Sequence, residues 1–194
     1  MLGSGVGIRE GRKDGGMGAT KVLIFHGYLL RGTGSNVYNA NVAQALARLG
    51  HEVHILCQDR EAASLAWVDA VGRWEGDGLE VEPTGNPGTP GGGAITAYLP
   101  DIGGLLPVYV ADSYEGFTAR TFPELSDEEI ESYIAANLTA IADVAERVGG
   151  IDAALANHLI MGPVILARSG LPFAAKVHGS ALSYTVIPHR DRFL

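Results

Sequence analysis

Three histidines carry the first chemical signal in this chain. His26 closes Lys21-Val-Leu-Ile-Phe-His26, His158 follows the segment Ile151 to Asn157, and His178 closes Pro172 to His178. Each segment is a short apolar run of strand character. The three imidazoles are therefore expected at strand carboxyl ends, the edge where open parallel sheets bind ligands. The plain alternative is three separate residues bonded to nearby backbone, since histidine is commonly half-buried. A three-histidine zinc site lacks a spacing such as His-x-Glu or His-Glu-x-x-His to fix two ligands together, so no metal is expected.

The second signal is Arg31-Gly-Thr-Gly-Ser-Asn36, which leads into a helix. Glycines let backbone approach a ligand, and a helix N-terminus presents free amides and a positive partial charge. Val37, Tyr38, Asn39 and Ala40 leave the first turn without an acid, so the site is open to an anion such as a phosphate. An ordinary glycine turn capped by Ser35 gives the same pattern. A dinucleotide fingerprint would need glycine at 37 and a strand running almost directly into the glycines. This chain has Val37 and a loop after His26, although Asp59 stands where a ribose ligand would. Ile24-Phe-His-Gly27 resembles the oxyanion segment of α/β hydrolases. The Gly-x-Ser-x-Gly nucleophile elbow of that class is missing, and His178-Gly-Ser180 is the nearest substitute.

The elements that position these residues follow from periodicity. After the first strand, Asn36 to Leu49 reads as a helix with Tyr38, Val42, Ala45, Leu46 and Leu49 on its buried face. Ser35 or Asn36 is the expected cap and Gly50 the stop. Glu52 to Cys57 is a second strand, which completes a strand–helix–strand unit. Glu61 to Trp74 reads as a short helix. Gly76 to Gly93 is a Gly/Pro-rich loop with one strand near Leu79, and it offers an acceptor-specific loop or mere tolerance. Ile95 to Leu99 and Leu106 to Ala111 read as strands. Ser126-Asp-Glu-Glu129 is a capping box that opens a long helix. Its buried face is expected at Ile130, Tyr133, Ile134, Leu138, Ile141, Ala145 and Val148, and Gly149-Gly150 ends it. Its leading acids suit the positive helix end better than a metal. Leu159 to Ser169 is a further short helix between the last two strands. Alternating strands and helices predict an α/β domain, a doubly wound parallel sheet of Rossmann-like kind.

With 194 residues the chain is one ordinary domain over residues 21–194, behind a flexible Gly-rich leader over residues 1–20. The net charge of −8 argues against nucleic-acid binding and against a polybasic membrane anchor. The single cysteine, Cys57, excludes an internal disulfide and fits a reducing compartment. No apolar run approaches the roughly 20 residues of a membrane span, and the leader lacks the apolar core of a secretory signal. The expected location is cytoplasmic.

From Lys21 onward the chain resembles the N-terminal half of a GT-B glycosyltransferase of family 4, the retaining nucleotide-sugar transferases. The resemblance rests on Gly32-Thr-Gly-Ser-Asn-Val-Tyr38 with its helix, Gly50-His-Glu-Val-His-Ile-Leu56, Asp152 to His158, and Lys176-Val-His-Gly-Ser180. Thr33 departs from the family's usual glycine. The resemblance implies transfer of a sugar, with retention, from a nucleotide-sugar donor to an acceptor held on this half. It places the Gly34 amide against the donor diphosphate and Asn36 against acceptor or phosphate. His178 would sit beside the transferred sugar, and Asn157 and His158 on the acceptor side of the same rim. It implies no cofactor or metal, and a C-terminal donor domain that these residues lack, so the 194-residue chain alone is expected to be inactive. A non-catalytic sugar- or nucleotide-binding module, or a half that pairs with a partner chain, is the reading from a different class.

Overall fold

The computed structural model describes residues 19–32, 34–76 and 78–193. The leader expected over residues 1–20 thus lies almost wholly outside the described residues, and so does Thr33. The fold is α/β and Rossmann-like, built on a mostly parallel seven-stranded sheet flanked by helices. The strands are β1 (Lys21–Phe25), β2 (Glu52–Leu56), β3 (Ala70–Glu75), β4 (Gly78–Pro83), β5 (Ile95–Leu99), β8 (Ala153–Ala156) and β9 (Phe173–Ala175). Their order is β4-β3-β5-β2-β1-β8-β9, with β4 antiparallel at one edge. Between them in sequence, β6 (Leu105–Val108) and β7 (Thr118–Thr121) pair as a separate parallel two-stranded sheet. The strand β7 escaped the sequence reading because its four residues carry almost no apolar alternation.

Helices cover both faces. α1 (Gly34–Arg48) packs Ala43 and Ala47 on the face that carries Ile24, Val53 and Ile55. α2 (Asp127–Val148) and α3 (Gly162–Ser169) pack on the face of Leu23, Phe25 and Leu56. Strand residues alternate between the two clusters because successive side chains point to opposite faces. Among the described residues, no helix is long and apolar enough to cross a membrane.

α2 follows its sequence closely. Ser126 Oγ accepts from the Glu129 amide at 3.2 Å, Glu129 Oε2 accepts from the Ser126 amide at 2.8 Å, and Gly149 adopts the left-handed cap. Tyr133, Ile134 and Ile141 are buried as expected, joined by Asn137, Ala140 and Val144.

α1 departs from expectation. It begins at Gly34, so Ser35 and Asn36 lie inside its first turn and neither precedes it as a cap. Its buried residues are Asn36, Asn39, Ala40, Ala43 and Ala47, while Tyr38 and Leu49 are exposed. The alanine stripe lets the helix lie close on the sheet, and the larger apolar residues remain at its flanks.

The helix expected over Glu61 to Trp74 is also corrected. A single 3-10 turn, Ala62–Ser64, is followed by β3, which contains Trp74. Gly72 sits where any Cβ would overlap the Tyr98 ring, a close approach that belongs to a strand crossing a neighbour's aromatic side chain.

The Gly/Pro-rich stretch carries β4 and then turns back under the amino edge of the sheet. The Gly93 amide donates to Ala47 O at 2.9 Å, and the Asn86 side-chain amide donates to Leu65 O and Val68 O. Residues 84–93 therefore lie at the end of the sheet opposite the histidines, away from the rim, whereas β4 begins at Gly78 on the carboxyl edge. Gly93 is structural, since a Cβ there would overlap the His51 carbonyl. Gly93→Ala is expected to cost about 3 kcal/mol, measurable as a fall in the urea midpoint without change of slope.

Candidate functional site

The chain leaves β1 toward β2 on one side and returns through α2 to β8 on the other. The switch point of the sheet is thus the crevice between the carboxyl ends of β1 and β8. Phe25 pairs with both Leu56 and Ala156, so His26 and Asn157 emerge side by side at that edge. β9 lies beside β8, with Ala175 against Ala156, and delivers residues 176–180 to the same rim.

The three histidines meet there. The His158 ring is stacked on His26 with centroids 5.8 Å apart, and lies 5.1 Å from His178. Both nitrogens of His26 are already engaged, and among the described residues no group of three or more His, Cys, Asp or Glu is placed to hold a metal ion.

A hydrogen-bond chain fixes the protons. Leu29 O accepts from His26 Nε2–H at 2.7 Å, because a carbonyl cannot donate. His26 Nδ1 is therefore a bare lone pair, which accepts from Asn39 Nδ2 at 2.8 Å and Asn157 Nδ2 at 3.0 Å. With its amide nitrogen facing His26, Asn157 presents Oδ1 to His178, whose Nε2–H donates at 2.9 Å. A neutral His178 then carries its lone pair on Nδ1. Burial drives the His26 pKa down to about 4 against the favourable bond to Leu29. The His158 pKa falls to about 3, through burial first and then through its two histidine neighbours. His178 is lowered as well, by partial burial and by Lys176. All three shifts favour the neutral ring, so imidazolium charge is not what the rim offers an anion.

The start of α1 borders the same place. Tyr38 packs edge-on against His178 with centroids 5.7 Å apart, and the Lys176 ammonium lies 5.4 Å from the Tyr38 ring centroid. Gly34 is exposed, and nothing lies within 4 Å of where its Cβ would be. Asn36 is buried and donates to Arg31 O at 2.8 Å, which closes the preceding loop. A cavity of about 270 Å³ opens here, lined among others by Tyr28, Asn36, Tyr109, Tyr114, His158 and Ser180. Of the residues singled out from sequence, Asn36 and His158 line it; His178 lies beside His158, Asn157 bonds His26 and His178, and neither Gly34, Asn157 nor His178 lines it.

Two other readings lose their groups. Asp59 is fully buried and accepts from the Leu30 and Glu61 amides and from Arg31, so it clamps the loop after β1 and is not open to a ribose. The His26 and Gly27 amides both donate to Leu56 O at 3.0 Å, which leaves no oxyanion hole at that segment. The Cys57 thiol is buried, with its pKa pushed up to about 12, and is no nucleophile.

The sequence reading missed Asn39 and the three tyrosines of the cavity. Asn39 had a signal: with Asn36 it puts two amides, three residues apart, on an otherwise alanine-lined face. The tyrosines arrive from the loops after β1 and β6, where periodicity is silent. Scanned against protein-family models the chain matches none, and no curated protein matches it.

Proposed function

We propose that this chain is the acceptor-side domain of a retaining glycosyltransferase of the GT-B family 4 type, taking its sugar from a nucleotide-sugar. One observation carries the reading. Tyr38 in the first turn of α1 packs on His178, whose Nε2–H is held by Asn157, beside the switch point of a Rossmann-like sheet. There the Gly34 amide and the helix dipole meet the donor diphosphate without a metal. His178 offers Nδ1 to a hydroxyl of the transferred sugar and stabilises the positive charge that grows as the glycosidic bond breaks. Its role is positioning and electrostatics; it does not attack the sugar.

In this reading the nucleotide half of the donor is held by a second Rossmann-like domain. Exposed Val177, Leu182, Tyr184 and Ile187 beside the rim offer that domain an apolar landing surface. The same surface favours the second reading, a binding half that pairs with a partner chain and does no chemistry. The test is a nucleotide-sugar turnover assay on the 194-residue chain and on the product of the whole reading frame that carries it. Turnover by the longer protein and none by the 194 residues is the expected result. Robust turnover by the 194 residues alone, or a longer protein inert toward every nucleotide-sugar, overturns it.

A further inference from the structure

We propose that the cavity beside His158 binds a neutral, ring-shaped polyol, a single unphosphorylated sugar or cyclitol, as the acceptor. The proposal rests on the transferase reading and adds the chemical class of the molecule that receives the sugar. At about 270 Å³ the cavity falls just below the range that holds drug-sized ligands, and it suits one hydroxylated ring.

Its walls specify the rest. Tyr28, Tyr109 and Tyr114 supply aromatic surface for the C–H faces of a sugar ring. Two of their hydroxyls are already committed as donors, Tyr28 to Pro107 O at 2.8 Å and Tyr109 to Ile160 O at 3.0 Å. His158, only 6% exposed, lines the cavity with neither ring nitrogen hydrogen-bonded. A neutral imidazole has one donor and one acceptor to satisfy, and a ligand hydroxyl provides both. Leaving them unpaired is costly in a buried setting, so a partner is expected. Ser35 and Ser180 add hydroxyls at the rim, and Asp112 adds a carboxylate. Among the described residues that line the cavity none is Lys or Arg, and Asp112 repels a phosphate. Arg31, the nearby guanidinium on the loop after β1, is held by Asp59 and Glu61.

The experiment is an NMR titration of the full chain with methyl β-glucopyranoside and, in parallel, glucose 6-phosphate. The neutral glycoside is expected to shift the amides of Tyr28, Asn36 and Tyr109 and the ring nitrogens of His158. The phosphate should bind about tenfold more weakly. Asp112→Lys should narrow that gap. Ala111→Trp, at an exposed position on the rim, should block the cavity and abolish the shifts without disturbing the core, so the outcome does not depend on a His158 variant folding. Equal or tighter binding of glucose 6-phosphate overturns neutrality, and no shift with either probe overturns the site. Because binding is read without a donor, failure here is separate from failure of the turnover assay.

Discussion

Lowering the pH from 7 to 5 is expected to remove about 4 kcal/mol of folding stability, far above the range in which carboxylates titrate. His26 and His158 have native pKa values of about 4 and about 3, against 6.5 in the unfolded chain. Each is depressed, so between those values and 6.5 the unfolded chain binds more protons than the native one. Stability then rises with pH through the window and falls as pH drops through it. Each histidine contributes about 2 kcal/mol between pH 7 and 5, and the two together make a large share of a typical domain's stability. The lowered carboxylates Glu124, Glu129 and Glu131 lose their share only below the ordinary glutamate range, so they do not blur the interval. Urea unfolding at pH 7, 6 and 5 checks this. His158→Phe keeps an aromatic ring among its neighbours and should make the slope shallower, while His26, His54 and His178, all lowered, keep part of it. A stability flat from pH 7 to 5 would show that the rings admit protons freely in the native state.

The same buried rings show what sequence can and cannot convey. A strand that ends in histidine is visible from the apolar run before it, and so were β1, β2, β5 and β8, the capping box of α2, and the rim as the place to look. Which of three histidines lines the cavity is not visible, because it depends on the order of the strands across the sheet. β8 lies beside β1 in the sheet but more than 120 residues away in the chain, so the bond from Asn157 to His26 is invisible locally. The error on α1 has a different cause. Hydropathy ranks Tyr38 and Leu49 above alanine, whereas close helix–sheet contact selects the smallest side chains, and Ala43 and Ala47 are fully buried. The error over Glu61 to Trp74 is of a third kind. Apolar spacing in a short segment fits helix and strand alike, and the decision fell to Gly72 against Tyr98.

On the transferase reading proposed above, in a protein that joins this domain to a donor-binding half, His178→Ala is expected to lower kcat by 10²- to 10³-fold, roughly the loss seen when one preorganised hydrogen-bonding group is removed from a transition state. KM for the donor should change little, since the bond strengthens only as the sugar becomes cationic. Folding should lose about 1 kcal/mol, because His178 is partly exposed and gives up one hydrogen bond, to Asn157. Asn157→Asp separates positioning from bulk. The carboxylate still accepts from His178 Nε2–H, but its other oxygen faces the lone pair of His26 Nδ1, where the amide had donated. That contact becomes favourable only when His26 takes a proton, so the His26 pKa should rise from about 4. Below the raised value His178 is held as before. Above it the repulsion releases Asn157's replacement and the ring together, so turnover should acquire a new fall with rising pH that the native enzyme lacks. A His178→Ala enzyme with undiminished kcat would remove the imidazole from the chemistry. An Asn157→Asp enzyme with the native pH profile would show that His178 needs no fixed tautomer.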